Sequence, residues 1–269
     1  MAEFDAAIFF DNDQGYLDDV KTKCPGVTLV KVKEIISAIK PSYNKAGVLS
    51  QSPLKDLMDE LYTEPTEEFY NRPSNGYVAY LLQYKIAPSY HPDSGIKQAD
   101  IDKYYKWAET TSGNRVLLLD WDLTLSVFDG IEFPRQEEFS MFFGNKYSKN
   151  NFLGKLLIKP KDIAMFYLGG QERFLMITEW LKDVANSGVH IAVLTNNGGA
   201  RDIMFQQVVD EIAPKGYYEI IASMFSPNNG NKGRALMTDP RFAKLCPKTG
   251  GKHQRQTKHR RRKSRKYRK

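Results

Sequence analysis

The 269 residues are 41% apolar and 12% aromatic, enough for one packed domain with insertions or two small ones. The net charge of +7 divides unevenly: twelve of the 39 Lys and Arg residues fall in Lys248–Lys269, which has no acid, leaving 27 bases against 32 acids upstream. No apolar run approaches the roughly 18 residues a bilayer crossing needs, so a soluble chain without membrane partners is expected.

The chain opens Met-Ala-Glu-Phe-Asp, acidic and without a leader pattern, which argues against secretion. Cys24 and Cys246 are far apart and in no metal-binding spacing. Neither a disulfide framework nor a cysteine metal site is expected, and an intracellular setting, cytoplasm or nucleus, fits best.

In chain order, short apolar runs alternate with helical patterns, which predicts an α/β protein with a parallel sheet. Ala6 to Phe10 reads as a strand, Gly15 to Lys23 as a helix and Val27 to Val32 as a second strand. Residues 33–98 break the rhythm as a connecting segment: an amphipathic helix around Leu54, Leu57, Met58 and Leu61, then a Pro- and Tyr-rich stretch. A helix over Ala99 to Thr110 and a strand over Val116 to Leu119 follow.

Residues 126–170 read as a hairpin and irregular structure, the length of a small cap. From Gln171 to Ser187 the helix is secure, because Phe174, Leu175, Ile177, Trp180, Leu181 and Val184 share one face and Gly188 stops it. Strands over Val189 to Leu194 and Glu219 to Ala222 and a helix over Lys232 to Leu245 complete the pattern. The tail, 247–269, has no apolar periodicity; it should be disordered alone and bind polyanions through counterion release.

The chemistry concentrates at Asp120-Trp121-Asp122-Leu123-Thr124, behind the apolar run Val116–Leu119. A buried strand ending in two carboxylates two residues apart is costly unless the acids meet a cation. Thr195-Asn196-Asn197-Gly198-Gly199 closes the next core strand with a hydroxyl and a glycine-rich turn, and Lys232 opens the last helix. Lys215 is its weaker rival. Near the start, Phe9-Phe10-Asp11-Asn12-Asp13 again ends an apolar strand in acids.

Together these stretches resemble the haloacid dehalogenase superfamily of phosphatases and phosphotransferases. The resemblance covers roughly 1–32 and 113–246. It implies Asp120 as nucleophile, Asp122 as general acid and base, Thr195, Asn196 and Lys232 as holders of the phosphate, and Lys232 at a helix N-terminus that adds anion affinity. It also implies Mg²⁺ on Asp120, Asp122 and Asp11, all hard oxygen donors. Asn12 departs from the family's adjacent acid pair, and Asp13 is carried over only as an outer-shell acid.

In that family the acids after the lysine come last; here they come first. The resemblance therefore implies a circularly permuted, Rossmann-like core of 1–32 and 99–246 with helices on both faces of the sheet, and 33–98 joining the old ends. The expected function is Mg²⁺-dependent hydrolysis of phosphate esters through an aspartyl-phosphate. The alternative is a non-catalytic protein of the same fold that docks on nucleic acid or an acidic particle through 248–269.

The Phe9–Asp13 run could also line the acid pocket of a phospho-accepting receiver, but the acceptor spacings are missing downstream. His91, His190, His253 and His259 are too scattered for a histidine metal site, and Trp107 and Trp180 read as core. The tail also looks like those on proteins of large DNA viruses, which extends the expected location to a viral factory or virion.

Overall fold

The computed structural model describes residues 2–36, 89–129, 160–201, 203–225 and 227–247. The amphipathic helix expected near Leu57, most of the expected cap and the basic tail lie outside them.

Five strands form one parallel sheet in the order β2-β1-β3-β4-β5. These are β1 (Ala6–Asp11), β2 (Val27–Lys31), β3 (Arg115–Leu119), β4 (His190–Thr195) and β5 (Tyr218–Ala222). The helices are α1 (Gln14–Lys23), α2 (Gln98–Thr110), α3 (Pro160–Leu168), α4 (Gln171–Asn186), α5 (Ile203–Ile212) and α6 (Lys232–Thr238). The architecture is α/β and Rossmann-like, and none of its described helices is long and apolar enough to cross a membrane.

Strand periodicity divides the core between the two faces. Ile8, Phe10, Leu117, Leu119, Ile191 and Val193 point to the side holding α2 to α5, including Trp107 and Trp180. Their neighbours Ala7, Phe9, Val116, Leu118, Ala192 and Leu194 point to the side holding α1 and α6. Each large side chain so buried contributes about 1.5–3 kcal/mol, which ties the register of all the central strands to one arrangement.

Four expectations change. Residues 160–168 form α3, packed on α4 and α5, where irregular structure was expected. No helix was assigned over α5, although Phe205, Val208, Val209 and Ile212 repeat at helical spacing and are buried. The last helix ends at Thr238, not Leu245: Pro240 cannot donate into the previous turn, and Asp239 caps a separate short turn, Pro240–Phe242.

The fourth is a correction. Cys24 and Cys246 form a disulfide, despite a sequence separation of 222. Gly26 N–H donates to Leu245 O at 3.1 Å, bringing the end of α1 beside the last described residues. No local spacing signals such a pair, because only the fold brings the segments together.

Candidate functional site

In a parallel sheet all strands end on one side, and the loops there converge where the strand connections diverge. Here β1 and β3 are hydrogen-bonded neighbours, so Asp11, at the end of β1, stands beside Asp120, just past the end of β3. Asp120 N–H donates to Phe10 O at 3.0 Å, which fixes the two strand ends to each other.

Lys232 joins them. Its ammonium lies 2.6 Å from Asp120 Oδ1 and 2.8 Å from Asp11 Oδ2, with the side chain only 1% exposed. It also faces the Tyr16 ring, 4.3 Å from the centroid. Burial opposes the charge on Lys232, but Asp120 and then Asp11 outweigh it and hold the ammonium above its ordinary range.

The helix behind Lys232 is placed by Asp19 of α1. Asp19 Oδ2 accepts Gly233 N–H at 2.8 Å and Oδ1 accepts the Asn231 amide at 3.0 Å. A Cβ on Gly233 would stand 2.6 Å from Asp19 Oδ2, so only glycine allows this approach. The helix has seven residues, and what it supplies to the site is the lysine rather than a long helix dipole. Lys215, the rival, is at the surface near Asp210, with its side chain 78% exposed.

After Asp120 the chain makes a wide turn, Trp121–Leu125, with Leu125 N–H donating to Asp120 O and Ser126 N–H to Trp121 O. Leu123 takes φ +51° within it, a left-handed conformation uncommon for a side-chain-bearing residue. The turn brings Asp122 back to the pocket. Its Oδ1 is buried and has no hydrogen-bond partner among the described residues, while Asn197 hydrogen-bonds the carboxyl group.

One ammonium thus faces three acids. Burial, then the charge on Asp120, pushes Asp122 up to about 8, and the same two causes raise Asp11 to about 7 against the pull of Lys232. Asp120 is also raised by burial, with Lys232 opposing. Ionised together, the three acids would carry more negative charge than their lysine can neutralise, and so each carboxyl holds its proton above the ordinary range.

Above the acids is a pocket of about 380 Å³ lined by Asp120, Asp122, Lys232, Asn12, Asp13, Tyr16, Asp129, Asn196, Asn197, Gly198 and Met224. Asp120, Asp122, Lys232 and Asn196 therefore share one cavity. Thr195 does not line it: fully buried, its hydroxyl accepts Asn197 N–H at 3.0 Å, so it shapes the glycine-rich loop from beneath. Asn196 is anchored to Gly230 O at 2.8 Å and to the Ser223 hydroxyl.

Asn12 and Asp13 have readable tasks. Asn12 N–H donates to Thr124 Oγ1 at 3.1 Å, Thr124 donates back to Asn12 Oδ1 at 3.3 Å, and the Asn12 amide donates to Glu34 at 3.3 Å. An aspartate could not donate to Glu34, so the amide suits a position that must give and receive. Asp13 caps α1, accepting Gly15 N–H at 2.6 Å.

Sequence reasoning did not single out Asn197, Asp129, Tyr16 or Met224. Asn197 follows the expected Thr195-Asn196 pair and was within reach; the other three enter the pocket only through loop and helix placement.

The donor chemistry fits a hard divalent cation: three clustered carboxyl groups, one with an unpartnered buried oxygen, and no Cys or His among the described residues that line the pocket. Among the described residues no three Asp, Glu, His or Cys side chains form a ready-made metal cage. Mg²⁺ needs less, since it binds through one or two carboxylates and keeps waters and substrate oxygens. Asp120 and Asp122 would serve first, because both oxygens of Asp11 already accept hydrogen bonds, from Lys232 and from Asp13 N–H at 2.7 Å.

Compared with family models, curated proteins and solved structures, the chain matches none.

Proposed function

We propose that the protein is a phosphohydrolase in which Asp120 attacks the phosphorus of a phosphate ester. The observation that carries this reading is the joint placement of Asp120, Asp122 and Lys232 on one pocket, with Lys232 bridging Asp120 and Asp11. A lysine held there offsets the negative charge that otherwise repels a phosphate from a carboxylate nucleophile.

In the first step an Asp120 oxygen bonds to phosphorus as the ester P–O bond breaks, and the proton of Asp122 passes to the leaving oxygen. In the second, water attacks the aspartyl-phosphate, its proton goes to Asp122, and the Asp120 carboxylate and inorganic phosphate are released. Asn196, Asn197 and Gly198 line the side where phosphate oxygens would be held, with Thr195 fixing their loop. Mg²⁺ held by Asp120, with Asp11 behind and Asp122 joining only once it has given up its proton, would supply further charge neutralisation.

The strand order supports the permuted haloacid dehalogenase reading. The strand bearing Asp120 is central, flanked by the Asp11 strand from the chain's start and the Thr195 strand downstream. Reading 1–32 as the displaced end of that fold accounts for Asp11 and Lys232 meeting across 221 residues.

The test is a screen of the full chain for phosphate release, with Mg²⁺ and with chelator, on sugar phosphates, phosphoproteins and nucleic-acid ends. Mg²⁺-dependent turnover is expected. No release from any of these, together with nucleic-acid binding that falls steeply with salt and vanishes on deleting 248–269, would favour the non-catalytic alternative.

A further inference from the structure

Arg173 stands in the first turn of α4, where a cation opposes the helix dipole. Its guanidinium is turned into the protein, and burial lowers its pKa to about 10. A cation drawn out of water ordinarily finds a carboxylate. Here the four hydrogen bonds it donates among the described residues all go to main-chain carbonyls: Leu125 at 2.7 Å, Leu168 at 2.9 Å, Thr124 at 3.0 Å and Ile96 at 3.4 Å.

The surroundings are built for this group. Gly95 has φ +86°, and a Cβ there would stand 2.3 Å from Arg173 Nη2 and 2.9 Å from Thr124 O. Thr124 O also accepts Ile96 N–H at 2.9 Å, so the chain entering α2 closes over the same carbonyl. Two of the four acceptors, Thr124 and Leu125, belong to the turn that carries Asp122, and Leu123 within it holds a left-handed conformation. Such a conformation persists only where neighbours over-determine it.

We propose that Arg173 is a positioning residue: its guanidinium clamps the Thr124 and Leu125 carbonyls and so fixes the turn that aims Asp122 into the pocket beside Asp120. Lysine is a poor replacement, because its three donors sit on one atom, whereas the guanidinium spreads its donors over a planar fork that reaches four carbonyls on three segments. The inference rests on the phosphohydrolase reading for its kinetic readout alone; the clamp on the turn is measurable without it.

The experiment uses the full chain with Arg173→Lys and Arg173→Ala, read by amide hydrogen exchange and by hydrolysis of p-nitrophenyl phosphate with Mg²⁺. Faster exchange confined to 121–128 is expected in both variants. The kcat is expected to fall by about ten- to a hundredfold with KM nearly unchanged, since displacing a reacting group costs rate more than binding. Methylguanidinium should restore part of the loss in Arg173→Ala and none in Arg173→Lys.

Unchanged exchange at 121–128, or exchange raised equally along β1, β3 and β4, overturns the proposal, the latter because it marks a general loss of stability. Retained kcat in an active protein overturns it too, while leaving the hydrolase reading intact. Local exchange that rises in a chain whose wild type releases no phosphate supports the clamp and sinks the hydrolase reading instead.

Discussion

The two ends of the sheet handle charge in opposite ways. At the end where the strands begin, acids are paired with cations: Asp5 with Lys244 at 2.7 Å and Glu219 with Arg241 at 2.7 Å, and Glu219 also hydrogen-bonds His190 at 3.1 Å. Asp239 also holds Arg241, at 2.5 Å. At the end where the strands finish, Asp11, Asp120 and Asp122 share one lysine, and an Asp122 oxygen has no described partner. Balanced pairs at a rim hold a fold together; a buried surplus of charge weakens it and is kept where chemistry needs it.

Substitutions at the two ends should therefore behave differently. The largest effect is on rate: Asp120→Asn should lower phosphate release by roughly 10⁴-fold or more, because it removes the nucleophile. A variant that kept turning over would end the assignment. Next, Lys232→Met strands Asp11 and Asp120 without their cation and should cost about 3–5 kcal/mol in urea unfolding. If stability is unchanged, the two acids do not depend on the lysine.

At the end where the strands begin, the disulfide ties the close of α1 to the segment after α6. Cys246→Ser should lower stability by about 2–4 kcal/mol, and adding reductant should lower wild type alone to the same level. Asp122→Asn should do the reverse of a damaging mutation. It relieves burial and repulsion by Asp120 and should raise stability by about 1–3 kcal/mol in chelator while abolishing turnover. Loss of both would mean Asp122 is a structural acid.

The smallest effect lies at the balanced end. Burial pushes the Glu219 carboxyl up, but hydrogen bonds from His190 and Arg241 outweigh it and hold its pKa below 4.5. Its contribution is therefore complete above that value and is lost as pH falls through the lower folded pKa. Glu219→Gln should cost about 1 kcal/mol at pH 7, and the difference from wild type should close under acid. A gap that persists there would place the effect in packing.

Much of this contrast is visible in the sequence. The three central strands β1, β3 and β4 are apolar runs of four or more residues, and the acids stand directly after two of them, so Asp11, Asp120 and Asp122 could be named at once. Lys232 could be named from its place at the start of a helix, and Asn196 from the turn after β4. Thr195 could be named from the same turn, and the structure places its hydroxyl under that loop, accepting Asn197 N–H. Arg173 gave no sign in the chain, since its partners are carbonyls, which every residue has.

What the sequence determines by itself is the local alternation: apolar runs that must become buried strands, amphipathic stretches that must lie against them, and acids at strand ends. These follow from periods of two and 3.6 residues and need no distant information. Only the tertiary structure decides that β1 pairs with β3, that Lys232 reaches both their acids, and that Cys24 meets Cys246. The β1–β3 pairing, the reach of Lys232 and the Cys24–Cys246 bond come from packing between residues from roughly one hundred to more than two hundred positions apart, and no local pattern records which of them will touch.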